Sequence, residues 1–391
     1  MIFKTILSAD LKHLLVIIVK MISKARVLCI LLCLIPPHTT EGDFIFPDFN
    51  NTVGLVFNGN ASTSICDGNT PSIKTKLSLS NRGGYESTQE TETNIGQDVN
   101  ELTHEFIAQF GHRNQFESNP ESGCPRRLRL TQSLPSQAGS VFHATRLPVI
   151  RGFDTTFSFQ ITAHSKVCTY HLEPMASQNH HKSCAVHGGD GFSFVIHSDK
   201  NGANAIGGDG QDLGYGGIEN SVVIEFDTWA NVDTQGSNDL FHDHISIHSG
   251  SRGVNSANAS TMIGNWRPVE LADGKVHRAR VQYLPYVEEK YLDSMTANDI
   301  LLPFLKDDGE GRRLGTLAVF IDDGVKTSKP ILAIPLNLNI LLDLPQSLAY
   351  VGFTGSTGAN WENHDILEWH WCDSIDCRGD RDEIERMELG K

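Results

Sequence analysis

The sequence predicts an all-β protein, built as an antiparallel two-sheet β-sandwich with polar loop insertions. Short runs rich in aromatic and β-branched residues recur along the chain, clusters of Gly, Pro and Ser separate them, and helical periodicity is scarce. The 35 glycines in 391 residues suit many tight turns, and a 39% hydrophobic content is ordinary for a globular core. Length does not divide the chain, because an all-β sandwich often exceeds about 200 residues as one domain.

Taken in order, Lys24 and Arg26 precede an apolar run at 27–35 that ends at Pro36 and Pro37. A charged n-region, an h-region and a cleavage zone predict a signal peptide over residues 1–41. Met21 is a candidate initiator, since a second apolar run at 14–19 lies upstream. Neither run has the ~20 apolar residues of a membrane span. The fold is expected over residues 43–373 and starts with FIFPDFNNTVGLVFNGNAST, which reads as two short strands and a turn. Residues 67–123 turn polar and are expected to be a disordered insertion, apart from a short helix near 101–110. Strands are then expected at 128–134, 140–145, 154–162, 191–197, 221–228, 244–248, 275–283, 315–322, 331–335, 348–353 and 365–371. A second insertion is expected at about 286–312, with a helix over 288–305, and a charged tail at 374–391.

The chain has 32 Lys and Arg against 47 Asp and Glu, a net charge of −15, and five of the basic residues fall in the first 40. So acidic a surface argues against nucleic acid and anionic membrane as partners. Cys29 and Cys33 fall in the presumed signal. The other six fall as sequence neighbours, predicting Cys66–Cys124, Cys168–Cys184 and Cys372–Cys377 disulfides, although spacing alone does not fix the pairing. Sequons at Asn50, Asn60 and Asn258 agree with an oxidising, glycosylating compartment, so the chain is expected to be secreted or lumenal.

The chemistry concentrates in SVVIEFDT at 221–228. Strand alternation puts Val222, Ile224 and Phe226 on one face and Val223, Glu225 and Asp227 on the other, with roughly 6 to 7 Å between the Cα atoms of the two acids. The loop that follows adds Asn231, Asp233, Asp239 and Asp243 before His244 opens the next strand. Calcium takes six to eight oxygen ligands, whereas a manganese-type ion accepts carboxylates with an imidazole, so this set suits two adjacent ions. The alternative is a solvated acidic hairpin.

EFDTWAN followed by DLFHDHISI resembles the metal-binding segment of the legume-type (L-type) lectins. GGDGFSFVIH at 188–197, AIGGDGQDLGYGGI at 205–218 and YVGFTGSTGANWENHDILEWHW at 350–371 extend the resemblance over most of 43–373. It implies a concanavalin-like jelly roll that binds glycans or glycoproteins with calcium and manganese or a similar transition metal. By the resemblance Glu225 and His244 hold the transition metal, Asp227 and Asp239 bridge both ions, and Asn231 and the Trp229 carbonyl hold calcium. The gap from Asp227 to Asp239 is longer than in the plant lectins, which leaves Asp233 and Asp243 as alternatives to Asp239 and puts the second ion in doubt first. The resemblance also places Asp190 behind a cis Gly189–Asp190 peptide, gripping the sugar together with Asn231 and a backbone N–H near Gly208 or Gly210, while Trp229 stacks on the ring.

Other readings are weaker. A glycosidase with a similar sandwich sets Glu, Asp and Glu along its strand, whereas here the series reads Glu225, Asp227, Trp229; no GxSxG elbow or HExxH helix occurs, and the chain is not expected to be an enzyme. A soluble secretory-pathway partner of glycoproteins, or a structural sandwich without sugar binding, are the alternatives. Residues 207–214 lack the Gly-Lys-Ser/Thr of a P-loop. Trp361, His364, Trp369 and Trp371 are expected in the core, His180 and His181 in a polar loop, and Arg378–Gly–Asp380 in the charged tail.

Overall fold

The computed structural model describes residues 42–65, 72–80, 86–94, 125–172, 180–231, 239, 243–266, 270–295 and 314–374. Its framework is two eight-stranded antiparallel sheets. The first runs in the order β18 (Leu332–Leu336), β17 (Gly315–Ile321), β16 (Val276–Leu284), β9 (Phe153–Thr162), β20 (Asn363–Cys372), β6 (Arg126–Thr131) and β3 (Ser62–Ile65), with β1 (Phe44–Phe46) also on β20. The second runs β15 (Met262–Trp266), β14 (His244–Ser249), β13 (Ser221–Asp227), β12 (Gly191–His197), β19 (Leu348–Thr357), β7 (Gln137–His143) and β2 (Leu55–Gly59), with β8 (Leu147–Pro148) on β19. These strands belong to one unit that begins at Phe44. All eleven strands expected between 128 and 371 are present, shifted by a few residues at their ends.

Alternating inward residues of both sheets fill the space between them. Phe157 and Phe159 of β9 meet Phe192 and Phe194 of β12, Phe226 of β13 and Phe353 of β19, all buried. The Phe157 and Phe353 rings meet edge-on at 4.9 Å, while Phe192 and Phe226 stack at 4.7 Å. Trp369 and Trp371 lie in the same core and Trp361 and His364 are buried, as expected.

The second sheet is covered on its other face as well. The segment between β12 and β13 folds back over it, and Leu213, Tyr215 and Ile218 pack on Val195, Val223 and Phe142. Every residue of β12 and β13 is therefore buried, which explains why neither strand alternates cleanly between apolar and polar. That covered face holds Glu225 and Asp227.

The third sheet corrects the expectations. The 67–123 segment, expected as a disordered insertion, contributes β4 (Ser72–Ser80) and β5 (Glu86–Asn94). With β10 (Ser165–Leu172) and β11 (His180–His187) they form a third sheet in the order β11, β10, β5, β4. His180 and His181, expected in a loop, open β11. β5 is polar throughout and hides its period, whereas Ile73, Leu77 and Leu79 of β4 do alternate with Ser and Lys, a signal that the polar composition of the segment outweighed. Of the helix expected over 288–305, the described residues hold a 3₁₀ turn at Glu289–Tyr291 and a helical turn at Leu292–Met295, which bury Tyr291 and Met295 beside Phe320; residues 296–305 lie outside the described residues. The signal segment, the 101–110 helix and Arg378–Gly–Asp380 lie outside the described residues.

Cys168 and Cys184 are direct partners across β10 and β11, as the expected bridge needs. Cys372 is disulfide-bonded, while Cys377, Cys66 and Cys124 lie outside the described residues.

Candidate carbohydrate and metal site

The segment leaving β13 meets the segment entering β12 at one end of the second sheet, where Gly191 pairs with Asp227. The Gly189–Asp190 peptide is cis. Asp190 donates its N–H to the Ser356 carbonyl at 3.1 Å and accepts the Thr228 N–H at 2.9 Å, so its backbone is tied to both neighbouring strands. Its side chain is 5% exposed and faces an open depression of about 340 Å³. Trp229 and Asn231 form one wall, Asp209, Gly210 and Gln211 a second, and Gly358, Ala359 and Asn360 a third. Burial, then the carboxylates of Glu362 and Asp209, push the Asp190 carboxyl up to about 7, against a backbone hydrogen bond from Gly358.

Beside this depression Asp227, Asp239 and His244 converge, with one ligating atom from each within 4.8 Å of the others. Asp227 Oδ1 accepts the Trp229 N–H at 2.6 Å, and Asp239 Oδ2 accepts the Asn231 N–H at 2.7 Å. These bonds fold the loop back onto the strand end. Burial, and then the Glu225 and Asp239 carboxylates, drive the Asp227 carboxyl well above its usual range. Asn231 Oδ1 and His244 Nδ1 are buried without a protein hydrogen-bond partner. A buried Asp227 carboxyl raised by its acidic neighbours, next to an orphaned amide oxygen and imidazole nitrogen, is a donor set that fits a cation.

The expected residues divide on inspection. Asp190, Trp229, Asn231 and Gly210 line the depression, but Gly208 does not, because its N–H is donated to the Gly216 carbonyl at 3.2 Å. Asp239 stands in the acidic cluster, whereas Asp243 turns away to accept the Leu271 N–H at 2.6 Å; Asp233 lies outside the described residues. Glu225 shares the face of Asp227 but is bonded instead by Ser246 and His248.

Sequence reading missed Glu362. It is fully buried and accepts from Thr228 Oγ1, while His164 Nδ1 lies 2.7 Å away and His364 Nε2 3.1 Å away. Burial alone would raise this carboxyl, yet the hydrogen bonds of the two histidines and Thr228 lower it to about 2. Gly188 packs where any side chain would collide with Glu362 and His164, so the carboxylate braces the strand that carries Asp190. His164 and His364 are distant from Glu362 or in an aromatic run, and no local pattern joins them.

Fold and site together give a two-sheet antiparallel β-sandwich with an open depression beside a cluster of Asp227, Asp239 and His244. Residues 106–289, just under half of the chain, match the family model of the legume lectin domain. Among solved structures it is similar to a lectin from Bauhinia forficata in complex with GalNAc, at 17% identity over 84% of this chain and 96% of that one, TM-score 0.44. It is also similar to lectin I-B4 from Griffonia simplicifolia in a metal-free form, at 18% identity over 84% and 98%, TM-score 0.42. A third match is the exoplasmic/lumenal domain of VIP36 in a Ca²⁺/Man2-bound form, at 15% identity over 64% and 76%, TM-score 0.39.

Proposed function

We propose that this protein is a cation-dependent lectin of the secretory pathway, either secreted or lumenal, that binds glycans on glycoproteins. The observation that carries the reading is the shared geometry of two sites: Asn231 belongs to the wall of the depression and, through Asp239, to the acidic cluster. Cations of the calcium and manganese types would be held by the carboxylates of Asp227 and Asp239, the His244 imidazole and the Asn231 amide oxygen, with the Trp229 carbonyl added as the resemblance implies. Such an ion would offset the mutual repulsion of the two carboxylates, whose bonds to the Trp229 and Asn231 N–H groups hold the loop against the strand end. Asp190 accepts hydrogen bonds from two sugar hydroxyls, Asn231 and the backbone at Gly210 donate, and the Trp229 ring lies against the apolar face of the sugar.

An open depression buries little of a ligand, so a single site is expected to be weak and to gain from multivalency. No helix among the described residues is long and apolar enough to cross a membrane. The test is a glycan array probed with the purified protein in calcium and manganese, then after chelation. Chelator-sensitive binding to a coherent glycan set supports the reading; an ion-loaded protein that retains no glycan on a dense array defeats it.

A further inference from the structure

The hairpin of β10 and β11 starts at the rim of the depression. β11 ends at His187, shortly before Asp190, and Gly189 passes between two of the walls: a Cβ placed on it would come within 3.3 Å of the Trp229 Cβ and 3.8 Å of the Asn360 Cβ. Ser165 pairs with His187 at the base of the hairpin. Its N–H donates to the Trp361 carbonyl at 2.8 Å, its hydroxyl donates to the His187 carbonyl, and the same hydroxyl lies 3.4 Å from Asn360 Oδ1. The hairpin base is thereby tied to the wall of Gly358, Ala359 and Asn360, which fixes where His187 stands.

His187 is exposed, and its ring meets that of the half-buried Trp229 at 89°, with centroids 6.0 Å apart. Two aromatic planes thus form a corner on the outer side of the Trp229 wall. Flat rings suit the C–H face of a pyranose, and in either protonation state an imidazole keeps an N–H for a sugar hydroxyl. The depression, at about 340 Å³, stands near the lower end of the ~300–1,000 Å³ of small-molecule pockets, and it is open. A glycan longer than the residue held there has to leave over a rim, and the Trp229 rim carries this corner.

We propose that His187 and Trp229 form a second subsite, which takes the next pyranose residue of a glycan whose terminal residue lies in the depression, so that the protein selects oligosaccharides over single sugars. The second residue is already tethered when it arrives, so its contact adds affinity without a second loss of translational freedom. This rests on reading the depression as the sugar site, and comparing glycans of different length separates the two claims.

Calorimetry on the full protein in calcium and manganese compares methyl glycosides of mannose, galactose and N-acetylgalactosamine with di- and trisaccharides that end in the same residues. For the sugar that binds, the oligosaccharide is expected to bind roughly 3- to 10-fold more tightly than the methyl glycoside. His187→Ala is expected to erase that gain and leave the methyl glycoside affinity unchanged; the side chain is exposed and the pairing with Ser165 is made by the backbone, so the variant should fold. His187→Phe keeps a flat ring and is expected to restore the gain. Equal affinity for short and long glycans overturns the second subsite and leaves the lectin reading standing, whereas an ion-loaded protein that binds none of these sugars overturns both. A gain that survives in His187→Ala, or fails to return in His187→Phe, also overturns the proposal. So does an equal loss for methyl glycoside and oligosaccharide in His187→Ala, which would make the ring a prop for Trp229.

Discussion

The two large sheets each bury carboxylates, and Asp154 of the first and Asp227 of the second stand in opposite surroundings. In the first, Asp154 of β9 faces Arg280 of β16, with Nε 2.9 Å from Oδ1 and Nη2 2.5 Å from Oδ2. Asp365 of β20 is gripped in the same two-pronged manner by Arg129 of β6, at 2.7 and 2.8 Å. In the second, the charged groups acting on Asp227 are the carboxylates of Glu225, Asp239 and Asp190, and all of them raise it. An internally paired carboxylate is a structural element; carboxylates gathered together call for a charge from outside. Burial alone does not tell them apart, since Asp154 is 2% exposed and Asp227 1%.

The contrast breaks most sharply at Asp227. Asp227→Ala should abolish ion retention and lower glycan affinity by at least about 100-fold, measured by calorimetry with and without calcium. Because it removes a repelled carboxylate, it should leave the ion-free protein no less stable to denaturant. Loss of stability in the ion-free variant would show that Asp227 is internally satisfied after all. Arg280→Ala should do the reverse: it strands Asp154 and should cost about 3–5 kcal/mol in chemical denaturation, while the protein that remains folded binds ion and glycan as before.

Asp190 lies between these extremes. Asp190→Ala should leave the ion count unchanged yet weaken glycan binding on the order of 100-fold, since each hydrogen bond to a charged acceptor contributes ~1.5–3 kcal/mol. A sugar hydroxyl donates a charge-assisted hydrogen bond to the carboxylate, and protonation removes that charge and turns one of the two acceptor oxygens into a donor. With Asp190 pushed to about 7 by burial and by Glu362 and Asp209, glycan affinity should fall as pH drops below neutrality. A flat profile through that range would place the sugar elsewhere.

The smallest expected effect is at Glu362. Its carboxyl at about 2, against an ordinary 4.5, adds stability that is present above 4.5 and is lost as pH falls towards 2. His164 is raised from 6.5, chiefly by its hydrogen bond to Glu362, so its share is fully present below 6.5 and lost as pH rises through its folded value. The cluster therefore contributes most between these two limits. Glu362→Gln should flatten both limbs of a melting-temperature profile and cost about 1–3 kcal/mol between them. Unchanged limbs would mean that the brace behind Asp190 does not depend on charge.

Much of this was legible in the chain itself, because β-sandwich strands with aromatic inward faces announce themselves by period and by the turns that bound them. GFSFVIH and SVVIEFD were readable as strands although both faces are buried, since flanking glycines and acids delimit them. Asp190, Asp227, Asn231 and Asp239 were named because they fall within short segments whose order is distinctive. The 72–94 strands were not, because β5 is polar throughout and joins the rest of the structure only through β10, a strand beyond residue 165, while β4 pairs with β5 alone.

By itself, then, the sequence determined which face of β13 is apolar and which carries acid, since backbone alternation leaves no other choice. Where each acid spends its charge was decided in three dimensions. Asp243 went to the Leu271 N–H, Glu225 to His248, and Asp154 to an arginine 126 positions away, while Asp227 was left among other carboxylates. Electrostatic energy falls off with distance through space and not along the chain, so the counter-charge of a buried acid is fixed only when strands remote in sequence come together.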